Sequence, residues 1–364
     1  MAGSSFGTQF KITTFGESHG DKIGVIIDGC PSGLNFDMDF IQKYVNRRKP
    51  KGKSSTTRVE NDTVFVSSGV FNNITIGTPI FMYVENNNTK SNDYKNIKDT
   101  FRPGHADFTF EEKYGLRDFR GGGRSSGRET VARVMAGAVA SLILKELNID
   151  ITTFTASIGN INLRKGNYHK EEIFENELYF PSNEDANRAL KLIDEIRKKG
   201  DSLGGTIWCD VDGLPAGLGE PVFNKLDAVL SHAIMSIGAV KGVEIGDGFT
   251  STTNLGSYNN DDFINKNGQI TTETNHSGGI LGGMSNGNQL KIRVAIKPTP
   301  SINLPQNTVD KNGNPISLEI KGRHDICIVP RAVVVVESMV AVSLVDMLFQ
   351  NMSAKLTNIK KVYS

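Results

Sequence analysis

A seven-residue pattern occurs twice in this chain, and no other feature constrains the possible folds as strongly. Residues 28–34 read DGCPSGL and residues 212–218 read DGLPAGL, so both copies match D-G-x-P-x-G-L. Asp, Gly and Pro favour turns, and such a pattern can recur by chance. Here, however, each copy follows an apolar stretch and precedes a helical one, and the copies begin about half a chain apart. The repeat therefore predicts two related halves, roughly residues 1–180 and 181–364, packed into one body.

Local patterns predict a mixture of strands and helices. Stretches rich in Val, Ile, Thr and aromatic residues predict strands at 24–28, 63–70, 80–84, 206–211, 290–296 and 332–336. Apolar residues at helical spacing predict helices at 40–48, 126–147, 183–199, 224–237 and 338–350. No low-complexity linker divides the chain, so we expect a single domain over residues 1–364 with an α/β (α+β) fold.

The composition is that of a soluble globular protein and argues against nucleic-acid and membrane partners. Of the 364 residues, 38% are hydrophobic and 22% are charged, and the formal net charge is only +1. A nucleic-acid-binding protein would usually be more basic. The most apolar stretch, residues 332–349, contains Glu337 and Asp346, which favours a buried strand and helix over a membrane span. Three cysteines without C-x-x-C spacing, and a start without a signal-peptide pattern, predict a reducing, cytoplasmic location.

The segment 102–138 has the features of an anion-binding helix start. Three consecutive glycines, Gly121 to Gly123, are followed by RSSGRE and then by an apolar helical pattern. Glycines let backbone N–H groups approach an anion, and the helix dipole adds to the attraction. Ser126 and Glu129 also have the S-x-x-E spacing of a capping box. A histidine earlier in the same segment completes a pattern that predicts a phosphate-handling enzyme.

Two histidine motifs have both a catalytic and a purely structural interpretation. His19 lies in GESHG, where a neighbouring hydroxyl and carboxylate suit a general acid near neutral pH, although a turn with a solvated histidine fits as well. His105 lies in RPGHAD, where Arg102 could hold an anion while the imidazole donates a proton. Alternatively, His105 and Asp107 form a pair in a surface loop. The sequence lacks H-E-x-x-H, so we expect no metal site.

Other polar segments also leave two interpretations open. Residues 47–58 are rich in Arg and Lys and form either a solvated face or one wall of a polyanion pocket. Glycine-rich loops at 200–205 and 276–285 fit neither the P-loop nor the dinucleotide-binding pattern. Asp325, in GRHD, is either a base or half of a surface salt bridge with Arg323.

Taken together and in order, these segments resemble the chorismate synthase family. The matching segments run from Thr13 to beyond Arg331 and read TTFGESHG, RPGHADFT with GGGRSSGRET, GDSLGG, PAGLGEPVF, AVKGVEIGDGF, HSGGILGGMSNG, KPTPS and GRHDIC. One such motif would be weak evidence, whereas eight in the family's order over nearly the whole chain are specific.

The resemblance implies a reaction and a cofactor. Members of the family convert 5-enolpyruvylshikimate 3-phosphate to chorismate by an anti 1,4-elimination of phosphate and a ring proton. This lyase reaction is the last step of the shikimate pathway, which feeds aromatic amino-acid biosynthesis. The family requires reduced FMN although no net redox change occurs, and some members reduce their own flavin with NADPH. Arginines and N–H groups would hold the phosphates and carboxylates, while the flavin would supply the electron chemistry.

The resemblance also implies roles for individual residues. His19 would protonate the departing phosphate, and His105 would stabilise the reduced, anionic flavin. Asp325, relayed through Ser18 and Ser126, would assist proton transfer at the flavin. The FMN contacts implied by the family are Arg124, Ser125, Ser126, Gly238, Ala239, Gly283, Lys297, Pro298, Thr299, Pro300, Ser301 and Arg323.

The family pattern further implies an architecture, an assembly and a second anion contact. The fold would be a β-α-β sandwich with two pseudo-symmetric halves, assembled as a homotetramer. Arg48 would face the phosphorylated substrate or NADPH. This chain departs from the pattern at Ser54, near which many members carry a second arginine that would contact NADP, and at Gly127, where alanine is usual. Two other classes stay open: an FMN oxidoreductase that consumes NADPH, and a non-catalytic protein that binds polyanions through residues 47–58.

Overall fold

Two five-stranded sheets enclose the long helices of the chain. The computed structural model describes residues 3–52, 55, 61–86, 98–320 and 324–364. In chain order the strands are β1 Ser5–Phe6, β2 Lys11–Phe15, β3 Lys22–Asp28, β4 Phe65–Ser68, β5 Val70–Phe71, β6 Ile74–Thr75, β7 Ile80–Glu85, β8 Asp150–Ile158, β9 Ile161–Asn162, β10 Gly205–Asp212, β11 Val240–Ile245, β12 Phe263–Lys266, β13 Gln269–Thr272, β14 Ile280–Leu281, β15 Met284–Ser285, β16 Leu290–Ile296, β17 Gln306–Val309 and β18 Pro315–Leu318. The α-helices are α1 Met38–Arg48, α2 Asp107–Tyr114, α3 Thr130–Glu146, α4 Asn183–Lys199, α5 Leu226–Met235, α6 Gly256–Asn259, α7 Val329–Asn351 and α8 Leu356–Tyr363.

The two large sheets share the topology of four of their five strands. The first has the order β1-β2-β3-β7-β4 and the second, read from its opposite edge, β9-β8-β10-β16-β11. Neighbouring strands run antiparallel in both sheets. Strands β2, β3, β7 and β4 thus correspond in chain order and position to β8, β10, β16 and β11, whereas the edge strand β1 precedes β2 and the edge strand β9 follows β8. This correspondence confirms the predicted α+β sandwich with two pseudo-symmetric halves.

The repeated D-G-x-P-x-G-L motif is held in the same way in each half. In the first copy, the Thr75 hydroxyl donates to the Pro31 carbonyl (2.7 Å) and accepts from the N–H of the motif's last residue (3.0 Å). In the second copy, the Ser285 hydroxyl makes the same two bonds, to the Pro215 carbonyl (2.6 Å) and from the last N–H (2.9 Å). The motif is therefore a turn fixed by a hydroxyl from a short hairpin, β5–β6 or β14–β15.

The two halves meet where α3 crosses α7. Helix α3 packs against β2, β3 and β7 of the first sheet, and α7 packs against β8 and β10 of the second. A side chain at Gly137 would place its Cβ 2.2 Å from the Cβ of Ser338, so the helices approach too closely for any residue other than glycine. The layers are therefore sheet, two crossed helices, sheet. How the chain divides into domains stays a prediction, although the second sheet already includes β8 and β9, which precede residue 180.

Helix α7 corrects one prediction. Residues 332–336, expected as a strand because of four consecutive valines, form the beginning of this 23-residue helix. The helix is buried on nearly all sides, so its sequence lacks the apolar periodicity of a surface helix, and packing overrides the strand preference of valine. Among the described helices, only α7 is long and apolar enough to cross a membrane, but 89% of its apolar stretch is buried within the protein.

Both carboxylates inside α7 have partners that explain their burial. Glu337 accepts two hydrogen bonds from the Arg47 guanidinium, at 2.7 and 2.6 Å. Asp346 accepts from three consecutive backbone N–H groups, those of residues 8–10, at 2.7 to 3.0 Å. Because buried charges are tolerated only when they are paired and hydrogen-bonded, these contacts also attach the N-terminal segment and α1 to the core helix.

Candidate functional site

The loop between β2 and β3 carries His19 and lies against the triple glycine. The Ser18 hydroxyl is 3.2 Å from Nδ1 of His19. A Cβ at Gly121 would lie 2.4 Å from His19 Nδ1 and 2.6 Å from Ser18 Oγ. The absence of a side chain at Gly121 therefore makes room for the imidazole, and the GESHG and GGGRSSGRET segments meet at this point.

The start of α3 differs in one respect from the predicted capping box. Two short 3₁₀ turns, Gly123–Ser125 and Gly127–Glu129, precede the α-helix, and Ser126 Oγ accepts from the Arg128 N–H (3.2 Å). Ser126 thus caps the turn as expected. Glu129 does not bond back to it, because its carboxylate accepts from the Thr14 hydroxyl (3.1 Å) and from Arg133 Nε (3.0 Å).

Arg124 fastens the His19 loop to the helix start. Its guanidinium donates to the Gly16 carbonyl (3.0 Å) and to both the hydroxyl (2.6 Å) and the carbonyl (3.2 Å) of Thr14. A guanidinium has five N–H donors in a planar fork, so these bonds leave capacity for an anion. The side chain is 26% exposed, whereas Ser125 beside it is exposed and Ser126 half-buried.

His105 lies in a buried charge cluster centred on Asp107. The Asp107 carboxylate accepts two bonds from the Arg102 side chain (both 2.7 Å) and an ion pair from Arg117 (2.9 Å), and its Oδ1 is 3.1 Å from His105 Nδ1. Burial alone would raise the pKa of Asp107, but the bonds from Arg102 and His105 hold that pKa well below its usual range. Arg102 is therefore committed to Asp107 and does not present a free guanidinium to an anion, and the His105–Asp107 pair is in the interior and not on the surface.

The two neighbours of His105 Nδ1 favour opposite protonation states. The Arg102 guanidinium, 3.0 Å away, can only donate, so it favours a neutral ring with a bare Nδ1. The Asp107 carboxylate can only accept, so it favours a protonated Nδ1.

Residues 117–121 connect the two histidine clusters. Arg117 pairs with Asp107 at one end of the segment, and Gly121 lies against His19 at the other. Between them, a hydrogen bond from Arg120 chiefly lowers the pKa of Asp118, and the charge on His19 contributes to the same shift. The five residues 117–121 thus link the cluster around His19 to the cluster around His105.

The 297–301 loop lies beside the His105 loop. Lys297 Nζ donates to the Gly104 carbonyl (2.8 Å), and a Cβ at Gly104 would be 3.1 Å from Pro300. The Lys297 N–H donates to the carbonyl of Ala239, a non-glycine residue in the left-handed region (φ +73°). Two of the predicted cofactor segments, Gly238–Ala239 and 297–301, therefore meet beside the loop of the predicted catalytic residue His105.

Within the 297–301 loop, one buried hydroxyl is available to a ligand. Ser202, from the 200–205 loop, donates to the Thr299 carbonyl (2.7 Å) and so fixes the backbone there. The Thr299 hydroxyl is buried and has no hydrogen-bond partner among residues of the described ranges. A buried polar group without a partner is uncommon in folded proteins, and a polar ligand such as a phosphate or a flavin ring edge would satisfy it. Ser301 is buried, and Pro298 is exposed.

Asp325 is paired with a residue that the sequence did not suggest. Arg331, in the first turns of α7, donates to Asp325 Oδ2 (2.7 Å) and to the carbonyl of Arg48 (3.1 Å). Arg331 therefore joins the Asp325 turn to the end of α1. The postulated partner of Asp325 in a surface salt bridge, Arg323, lies outside the described residues.

Residues 47–48 are not a solvated face. The Arg48 side chain is 1% exposed, and Arg47 forms the bidentate pair with Glu337 described above. Lys53, Ser54 and Arg58 of the same basic run lie outside the described residues. Because both arginines are largely buried, the interpretation of this run as a solvated face is wrong for Arg47 and Arg48.

One predicted cofactor residue lies apart from the others. Gly283 accepts from the Leu226 N–H (2.7 Å) and packs against the Lys225 side chain, at the N-terminal end of α5. Gly238 and Ala239 follow the C-terminal end of the same helix. The ten residues of α5 make this helix about 15 Å long, so its two ends are too far apart for one phosphate group to contact both. A flavin nucleotide is long enough to reach from one end to the other.

Three polar partners of the site could not be inferred from the sequence. Arg117, Arg331 and Asn86 contact Asp107, Asp325 and the His19 loop, respectively. Arg331 follows Asp325 by six residues and Arg117 follows Asp107 by ten, and such spacings are a usable signal, whereas Asn86 lies 68 residues beyond Ser18. Across the parts of the chain that the structure describes, no group of three His, Cys, Asp or Glu side chains could hold a metal ion.

Comparisons with known proteins agree on one family. A family model described as chorismate synthase matches residues 10–349. A chorismate synthase of Agathobacter rectalis is 54% identical over 364 residues, covering 100% of this chain and 99% of that protein, and one of Helicobacter hepaticus is 48% identical over 99% of each. A crystal structure of chorismate synthase superposes with a TM-score of 0.78 at 30% identity and covers 98% of this chain and 97% of the other. This chain belongs to the chorismate synthase family.

Proposed function

We propose that this chain is a lyase that converts 5-enolpyruvylshikimate 3-phosphate to chorismate by anti 1,4-elimination, and that it requires reduced FMN. In this reaction the carbon–oxygen bond to phosphate and a ring carbon–hydrogen bond break, and the electron pair of the latter becomes a new carbon–carbon double bond. The observation that carries the proposal is that residues 117–121, just before a glycine-preceded helix, contact the His19 loop at one end and the partner of His105, Asp107, at the other.

His19 is proposed as the acid that protonates the departing phosphate. Its imidazole is confined between Ser18 and Gly121, and the β2–β3 loop is fixed by Arg124. An imidazole that is confined in this way can donate its proton without first paying an orientational cost. Arg124 and the N–H groups at the start of α3 would offset the negative charge next to it.

Binding of FMN is proposed for the segments that meet beside His105. Arg124, Ser125 and Ser126 would supply one part of the binding surface, and Gly238, Ala239 and the segment Lys297–Ser301 the other, with the Thr299 hydroxyl satisfied by the ligand. Gly283 and Arg323 complete the proposed set. When bound, reduced FMN supplies the electron-rich ring that the elimination requires, with no net redox change.

His105 is proposed to hold a proton next to negative charge. Asp107 is kept ionised by Arg102 and Arg117, so it is available to accept from a protonated His105 Nδ1.

Asp325 and Arg48 are proposed as further residues of the site. Asp325, with Ser18 and Ser126 as relays, would assist proton transfer at the flavin. Arg331 orients the Asp325 carboxylate and ties it to the end of α1, where Arg48 would face the phosphorylated substrate or NADPH. We further propose a homotetramer in the cytoplasm, with NADPH as a possible reductant of the flavin.

The proposal is tested by following phosphate and chorismate under anaerobic conditions with chemically reduced FMN. Wild-type protein should release one phosphate for each chorismate formed. His19→Ala and His105→Ala should each lower kcat by about one to three orders of magnitude, in line with general acid–base contributions. Near wild-type rates in both variants would contradict their assigned roles, and failure of the wild-type protein to form chorismate would contradict the function.

A further inference from the structure

The side chain of Asn86 holds the backbone on both sides of His19. Its Nδ2 donates to the Ser18 carbonyl (2.8 Å) and to the Gly20 carbonyl (2.9 Å). The Asn86 N–H donates to the carbonyl of Asp21 (2.9 Å). One asparagine just after β7 therefore makes three bonds to three of the four residues 18–21 in the His19 loop.

The orientation of this amide is fixed from the core. Arg128 Nε donates to Asn86 Oδ1 (3.3 Å), so the amide nitrogen faces the His19 loop. Arg128 is itself held by Asp62, whose carboxylate is fully buried and only 2.7 Å from the Arg128 guanidinium. A continuous set of hydrogen bonds thus runs from a buried carboxylate, through an arginine at the start of α3, to the backbone around His19.

The His19 loop needs such a restraint. Gly16 adopts a left-handed backbone (φ +91°), Gly20 closes the other end, and glycines lose more conformational freedom than other residues when they are ordered. Only an amide side chain combines two N–H donors on one nitrogen with an acceptor for Arg128. Aspartate has the same shape but cannot donate to either carbonyl.

We propose that Asn86 is a positioning residue for His19, and that it keeps the imidazole at the place defined by Ser18 and Gly121. This inference rests on the proposed function, because it assumes that His19 acts on the substrate. It makes no claim that Asn86 touches substrate or cofactor. Its effect should therefore appear in kcat and be absent from FMN binding.

The test is the shape-matched substitution Asn86→Asp, compared with Asn160→Asp in the exposed turn between β8 and β9. Asn86→Asp should lower kcat by about 10- to 100-fold, as expected for a catalytic group misplaced by about 1 Å, with KM and FMN affinity changed by less than about threefold. The control should keep wild-type kcat. If Asn86→Asp does not fold, Asn86→Ser, which retains one donor, serves in its place with a smaller loss.

A double-substitution cycle separates positioning from a general structural role. In the His19→Ala background, Asn86→Asp should change kcat by less than about threefold, since the group that it positions is gone. In addition, the NMR signals of the His19 ring nitrogens should shift in Asn86→Asp and not in Asn160→Asp, whether or not the protein turns over substrate.

Three results would overturn the inference: wild-type kcat in Asn86→Asp, an equal loss of kcat with and without His19, and unshifted His19 ring signals in Asn86→Asp. If the wild-type protein formed no chorismate, the proposed function would be refuted instead. The NMR comparison would still decide whether Asn86 positions the loop.

Discussion

Replacing Gly121 with alanine adds one methyl group at the contact between the two catalytic segments. The backbone at Gly121 is not in the left-handed region, so alanine itself is compatible with the local conformation. The added Cβ would lie 2.4 Å from His19 Nδ1 and 2.6 Å from Cε1, whereas ordinary contacts begin at 3.4 Å. The imidazole would have to retreat by about 1 Å, a displacement that can cost about 100-fold in rate.

The measurement is kcat with chemically reduced FMN under anaerobic conditions, together with the Tm of each variant. Gly121→Ala should lower kcat by about 100-fold, equivalent to about 2.7 kcal/mol of activation free energy, and overpacking should cost about 1–3 kcal/mol of stability. Gly127→Ala is the matched control, because its added Cβ has no atom within 4 Å. It should keep wild-type kcat and Tm. If Gly121→Ala folds and retains kcat within about threefold, His19 does not act from the position described here.

Three further predictions concern stability and its pH dependence. Asp107→Asn leaves buried guanidinium groups without their carboxylate and should cost about 3–5 kcal/mol in urea denaturation. Glu337→Gln should have a similar cost, because Arg47 would keep a buried charge without its counter-ion. Burial opposes ionisation of Asp261, but the N–H of Ser277 and other hydrogen bonds lower the pKa of Asp261 to about 2. Its stabilising contribution should be complete above about pH 4, the unfolded value, and lost as the pH falls toward 2. Asp261→Asn should therefore flatten the pH dependence of the urea midpoint in that interval.

Each of these predictions has a control or a contrary result. Asp150→Asn breaks the exposed pair with Lys170 and should change stability by less than about 1 kcal/mol. If Asp107→Asn or Glu337→Gln lost no more stability than Asp150→Asn, the buried charges would not need their partners. For Asp261, a urea midpoint with the same acid dependence in wild type and variant would rule out its contribution.

The repeat was the part of the fold that the sequence predicted best. The D-G-x-P-x-G-L motif predicted two related halves, and the matched strand orders of the two sheets confirm them. The hydroxyls that hold the motif, on Thr75 and Ser285, come from distant hairpins and have no local signal. Strands β2, β8 and β11 were missed because their apolar alternation is short or interrupted by polar residues.

The candidate site was predictable in its motifs but not in its contacts. The segments containing His19, His105 and Asp325 were identified as motifs, and residues 117–121 link the first two. Arg102 and Arg331 lie only five and six residues from Asp107 and Asp325, but the burial that commits each arginine to its carboxylate could not be inferred. Such pairings are decided by the low dielectric of the interior, which sequence spacing alone does not report.

The central claim, an elimination that needs reduced flavin without consuming it, is tested most directly by varying the redox state of FMN. Phosphate release from 5-enolpyruvylshikimate 3-phosphate would be measured anaerobically with reduced FMN, with oxidised FMN and without flavin, while NADPH oxidation is followed in parallel. We predict many turnovers with reduced FMN, none with oxidised FMN or without flavin, and no reductant consumed for each product formed. Equal rates in all three conditions would contradict the claim, and one NADPH oxidised per product would indicate an oxidoreductase instead.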